Sequence, residues 1–233
     1  MKKTISAILA LGILLTLLGC TPDDEKVIEC QDDTQQEENV VDTCDPLDIY
    51  PPTYRKPVIY LYPEEETMIS VKLDFCGKLT HTYPLYNNGW SVTASPDGTL
   101  TDEAGREYYC LFWEGEADTE YDMTQGFVVP GEDTVDFLED ALAKLGLTDK
   151  EANEFIIYWA PQMENNKFNI ISFQTTAYTE SAKLKVDPEP DTVIRVFMAW
   201  KALEEPVSID LQVLTAPERV GFTLVEWGGS EIK

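Results

Sequence analysis

Histidine occurs once in this 233-residue chain, at position 81. A Ser-His-Asp or Cys-His site would have to be built on His81, and metal sites that use several histidines are excluded. Basic residues are scarce, 17 against 43 acids, so the formal charge is −26. A field of that sign repels nucleic acid and attracts cations and basic partners. The cysteines lack the paired spacing of a zinc site, no Gly-rich phosphate loop follows a strand, and no Gly-x-Ser-x-Gly elbow is present. There is no internal repeat. The uncharged apolar run of residues 5–18 is shorter than the ~20 residues a membrane span needs.

That run has a different meaning. Lys2 and Lys3 precede it and Leu17-Leu18-Gly19-Cys20 closes it. A basic start, a short apolar core and a small residue before the cut make a secretory signal. The tetrapeptide resembles the bacterial lipobox, whose cysteine is lipid-modified and becomes the new N-terminus. The expectation is a signal peptide over residues 1–19, a lipid such as palmitate at Cys20, and a protein anchored on the extracytoplasmic face of the cell membrane. Residues 21–50 carry eleven acids against Lys26 and no aromatic before Tyr50. So little apolar surface does not offset the entropy of ordering, which predicts an extended acidic tether over residues 20–53. Residues 54–233 are then one monomeric domain, long enough to bury a core. An exported location permits disulfides among Cys30, Cys44, Cys76 and Cys110. Of the three connectivities, the local one is expected, Cys30 with Cys44 and Cys76 with Cys110, with free thiols as the alternative.

Within the domain, periodicity predicts antiparallel strands first. Residues 57–62 form one strand between prolines. Residues 68–75 alternate, with Ile69, Val71, Leu73 and Phe75 on one face. A three-residue loop, Phe75-Cys76-Gly77, would pair Asp74 with Lys78, Leu73 with Leu79, Val71 with His81 and Ile69 with Tyr83. It would place Gly77 in the left-handed region and His81 on the apolar face. Pro96-Asp97-Gly98 reads as a similar loop, pairing Ala94 with Leu100, and a further turn covers residues 102–105. Residues 108–113 are apolar on both faces, as in a central strand. The period then changes. Asp133 caps a helix that Gly146 ends, and Thr148 with Glu151 makes a capping box for a second helix stopped by Pro161. Strands return at 168–173, 193–200, 207–214 and 222–227. Strands, a two-helix hairpin and strands again predict an α+β fold, a mainly antiparallel sheet or sandwich with an inserted helical hairpin.

Carboxylates are the remaining reactive groups. Glu114, Glu116, Asp118, Glu120 and Asp122 crowd the segment after Trp113. In so acidic a chain the first reading is a solvated loop. Two reactive readings stand beside it: Glu114, Glu116 and Asp118 as acid and base of a glycosidase-like envelope hydrolase, or Asp118, Glu120 and Asp122 as hard oxygen ligands for Ca²⁺. Tyr60, Tyr62, Tyr108, Tyr109, Phe112, Trp113, Trp200 and Trp227 read first as core and second as the lining of a glycan groove.

Four strings stand out: Lys56-Pro57-Val58-Ile59-Tyr60-Leu61-Tyr62-Pro63, Leu111-Phe112-Trp113-Glu114, Pro190-Asp191-Thr192-Val193-Ile194-Arg195-Val196 and Glu226-Trp227-Gly228-Gly229. By these the chain resembles a family of exported bacterial proteins frequent among Firmicutes, over roughly residues 56–229. The resemblance implies one domain and brings no activity, cofactor or catalytic residue. The combined expectation is a surface lipoprotein without a cofactor. Its domain binds an envelope protein or glycan, or serves as a structural module, with the envelope hydrolase as its rival.

Overall fold

A computed structural model describes residues 53–232, and these fall within one compact unit. Eight strands come first: β1 (Thr53–Tyr62), β2 (Thr67–Phe75), β3 (Lys78–Tyr83), β4 (Trp90–Ala94), β5 (Leu100–Thr101), β6 (Glu107–Tyr108), β7 (Leu111–Glu116) and β8 (Gln125–Pro130). Two helices follow, α1 (Thr134–Lys144) and α2 (Asp149–Met163). The chain ends through β9 (Phe168–Phe173), α3 (Thr175–Ser181), β10 (Ala182–Asp187), β11 (Thr192–Leu203), β12 (Asp210–Leu211) and β13 (Thr223–Glu231). The fold class is α+β, as the order of periodicities predicts. Among the described residues no helix is long and apolar enough to cross a membrane. Cys20, Cys30, Cys44, the signal and all of the tether but Thr53 lie outside the described residues; Thr53 already belongs to β1.

The strands form two sheets. One has eight strands in the order β12-β8-β9-β11-β13-β1-β7-β3, the other five in the order β10-β2-β4-β5-β6. The large sheet is the middle layer. Val58, Tyr60, Ile194, Val196, Met198, Val225 and Trp227 share one core with Leu138, Leu142, Phe155 and Trp159 of the helices. Ile59, Leu61, Trp113, Phe197 and Leu224 share the other with Ile69, Val71, Trp90 and Val92 of the small sheet. Burial on both sides is why these strands are apolar at successive positions. The four strings of the sequence lie on β1, β7, β11 and β13, which are adjacent in the large sheet. They are its centre.

The two glycines that end the last string have steric reasons. A Cβ at Gly229 would lie 2.7 Å from the Met198 carbonyl oxygen and 2.7 Å from the Trp159 ring. A Cβ at Gly228 would lie 3.1 Å from Pro57, where β1 bulges.

Several local expectations hold. Thr148 accepts from the Glu151 amide while the Glu151 carboxylate accepts from Thr148 N–H, a closed capping box. The loop at Asp97 pairs Ala94 with Leu100, and Ser95 N–H donates to Thr99 O at 2.8 Å. Gly105 N–H donates to Asp102 O in the second turn. Others need correction. β2 and β3 are not a hairpin: β2 pairs with β10 and β4 in the small sheet, β3 with β7 in the large one. Residues 76–77 therefore carry the chain between layers, and Gly77 is not in the left-handed region. Residues 108–113 are likewise divided, β6 in the small sheet and β7 in the large one. Asp133 precedes α1 without a side-chain cap, and α2 continues past Pro161 to Met163. Of residues 207–214 only Asp210 and Leu211 pair, with β8. β8, α3 and β10 have no counterpart in the expected elements. The large sheet is mixed, because β11 runs parallel to β13 and β12 to β8.

Candidate functional site

The most chemically varied cleft lies where the chain passes from β6 to β7. It measures about 440 Å³ and includes Lys56, His81, Tyr83, Arg106, Tyr109 and Cys110 on its walls, with Glu107, Tyr108 and Phe112 beside them. Each wall follows from the topology. β7 lies between β1 and β3, so His81 of β3 stands opposite Glu114 and its ring packs 5.8 Å from that of Phe112. Tyr83 packs edge-on against Tyr108 at 5.6 Å, and the Arg106 guanidinium lies 5.9 Å from the Tyr108 ring.

Lys56 is the unusual member. β1 changes register between Arg55 and Val58 against β13 and between Tyr54 and Val58 against β7, and within that bulge Lys56 has φ +60. A left-handed conformation is costly for a side chain other than glycine, and a residue before proline is ordinarily extended. The Lys56 amide donates to Glu114 Oε1 at 3.1 Å, which helps hold the bulge. The ammonium lies 5.5 Å from the centre of the Phe112 ring and 5.8 Å from that of Tyr158. Backbone strain held in place by its surroundings concentrates at functional sites.

His81 is exposed, not packed beside Val71 as a β2–β3 hairpin would require. Cys110 faces the helix-side core, and burial pushes its thiol up to about 12, with the Glu154 carboxylate adding to the shift. A thiol so raised is not a nucleophilic thiolate near neutrality. Burial first, then the neighbouring Cys110 and Glu154, push Tyr109 up to about 12. Behind the cleft, Tyr60 donates to Glu154 and accepts from Trp227 Nε1 at 3.2 Å.

The expected Cys76–Cys110 bridge is not formed; Cys76 is an exposed free thiol and Cys110 a buried one. Lys78 pairs with Glu116 at one end of β7, whereas Cys110 precedes Leu111 at the other. Five strand residues separate those ends by about 17 Å, well beyond the span of a disulfide.

The acidic run is dispersed. Glu114 is half-buried at the Lys56 bulge, Glu116 is exposed on the same strand, and Asp118 is exposed beyond it. None of these three is among the residues lining the Lys56 cleft. Glu120 and Asp122 border a different, polar cleft of about 440 Å³ with Gln174 and Gln212. Asp122 Oδ1 accepts from the Thr124 amide. Among the described residues no three Asp, Glu, His or Cys side chains gather as a ligand set for a metal ion. The aromatic set divides: Tyr108, Tyr109 and Phe112 border the Lys56 cleft, while Tyr60, Trp113, Trp200 and Trp227 are buried. Sequence reasoning missed Lys56, Tyr83 and Arg106 as site residues. The available signal was the Arg55-Lys56 pair before proline at the head of an apolar strand.

No family model and no solved structure matches the chain. A 64-residue segment is 53% identical to a Butyrivibrio fibrisolvens protein described as "Uncharacterized protein in bglA 3'region". The match covers 26% of this chain and 66% of that protein, just under two thirds of its length.

Proposed function

We propose that this chain is a lipid-anchored protein of the bacterial cell envelope whose domain is a binding module, with the Lys56 cleft as its ligand site. The anchor reading rests on the basic start, the apolar run and Leu17-Leu18-Gly19-Cys20. In this reading the acidic residues 20–53 hold the domain of residues 54–233 away from the membrane, as like charges extend a chain. The chain is grouped with exported Firmicutes proteins by the four strings alone.

One observation carries the binding reading. Residues 53–233 hold 32 acids and 14 bases, yet the cleft wall has Lys56, Arg106 and His81 against Glu107 alone. Around them Tyr83 and Tyr109 leave about half their surface to solvent, 49% and 53%. Exposed rings beside a few convergent polar groups suit a small-molecule or polymer subunit.

The test is co-sedimentation of the full chain with purified Gram-positive cell-wall material. Replacing Tyr83 and Tyr109 together with alanine is expected to weaken binding at least tenfold. Glu116→Gln with Asp118→Asn is expected to change nothing. Undiminished binding by the tyrosine variant would remove the cleft from the proposal. Turnover of the wall material that disappears in Glu114→Gln, Glu116→Gln and Asp118→Asn, with the fold intact, would establish the hydrolase instead.

A further inference from the structure

The cleft also carries information about what it holds. None of the five ion pairs among the described residues involves Lys56 or Arg106. Carboxylates are nonetheless close. Glu114 accepts from the Lys56 amide and Glu154 from the Tyr60 hydroxyl, but neither lines the cleft, and Glu107 is the acid on its wall. Lys56 is thus a half-buried residue on a strained bulge, its ammonium near two aromatic rings and, among the described residues, without a carboxylate within 4.0 Å. A lysine on a smooth surface would keep its rotamers and its water. Here the bulge and the two rings restrict the side chain before any ligand arrives, which lowers the ordering cost of binding.

We infer that the cleft takes an acid-bearing saccharide, its carboxylate or phosphate group received by Lys56 and its sugar ring by Tyr83 and Tyr109. This inference rests on the binding reading given above. Arg106, turned over Tyr108, supplies a second cation on the same wall, and His81 a ring nitrogen for a hydroxyl or acid oxygen. The sugar is favoured over an acidic peptide because the exposed aromatic surface belongs to two tyrosines, each an apolar ring with a polar hydroxyl, while Phe112 is only half-exposed. The net charge sharpens the point. A domain with 32 acids and 14 bases repels polyanions at long range, so one that is retained must be held locally.

The test uses the full chain and three immobilised polymers with one backbone: dextran, carboxymethyl-dextran and dextran phosphate. Retention on at least one charged polymer is expected to exceed that on plain dextran tenfold or more. Comparing the two charged surfaces decides between carboxylate and phosphate. Lys56→Gln and Lys56→Gly are each expected to abolish the difference; glycine also relieves the backbone, so a misfolded glutamine variant does not spoil the test. Lys56→Arg is expected to restore part of it. Equal retention on all three polymers, lost in the Tyr83/Tyr109 variant and unchanged in Lys56→Gly, would overturn the acid requirement and leave the binding reading standing. Absence of retention on every surface, with wall sedimentation intact, would overturn the saccharide assignment alone. Loss of both would end the binding reading as well.

Discussion

Arg195 and Glu226 are register partners on the parallel strands β11 and β13, and their side chains meet largely shielded from water. Arg195 Nε lies 2.6 Å from Glu226 Oε2, with side-chain exposures of 7% and 0%. Trp113 Nε1 donates to the second carboxylate oxygen at 3.0 Å, and Arg195 Nη2 donates to the Ala182 carbonyl of β10 at 2.6 Å. The guanidinium also lies 4.6 Å from the Tyr178 ring. One ion pair therefore joins the centre of the large sheet to the edge of the small one.

Removing one partner of such a pair leaves the other charge buried and alone, which costs about 3–5 kcal/mol. Arg195→Leu is expected to lower unfolding free energy by about that amount in urea titrations. Arg195→Leu combined with Glu226→Leu is expected to recover most of the loss, since two apolar groups leave no unpaired charge. A double variant no more stable than the single one would mean that the hydrogen bonds from Trp113 and to Ala182 outweigh the pair.

Gly229 has no room for a methyl group between the Met198 carbonyl and Trp159. Gly229→Ala must push α2 away from the sheet or bend β13, and overpacking of this kind costs about 1–3 kcal/mol. Thermal unfolding measures it. A melting temperature equal to that of the parent would show that Trp159 can move aside.

Cys110 predicts an alkaline limit to stability. Its thiol is raised by burial from an ordinary value of 9.0 to about 12. Below the unfolded value the thiol is protonated in both states and its contribution is fully present. Between about 9 and 12 the unfolded chain releases a proton that the folded protein keeps, so stability falls as pH rises, by up to about 1.4 kcal/mol per unit. Denaturant midpoints at pH 8 and 11 check the sign, with Cys110→Ala as the variant that should lose this part of the slope. In the native protein Cys76 is expected to react with a thiol reagent at once, and Cys110 only on unfolding.

The elements that sequence periodicity recovered are those whose information is local. The Thr148–Glu151 box and the loop through Gly98 are complete within a few residues, and both stand as read. The failures share one cause. Asp74 matches Lys78 and Leu73 matches Leu79 in polarity, so a β2–β3 hairpin satisfies every neighbour in sequence. Leu73 instead meets Leu184, more than a hundred residues away. β10 escaped notice because its alternating lysines resemble a solvated segment, whereas the alternating residues 207–214 promised a strand, and Leu211 and Val213 are exposed. The site was less legible still. A residue before proline is expected to be extended, and only the bulge that Gly228 admits turns Lys56 the other way.

The placement of the four strings on the four central strands has a consequence for sorting chains that carry them. Such chains would inherit a common chassis, together with the anchor Lys56 and its partner Phe112. His81, Tyr83, Arg106 and Tyr109 lie outside every string and beside the same cleft. Ligand preference would then be set at these unshared positions, and two proteins alike in all four strings would be expected to differ in what the cleft accepts.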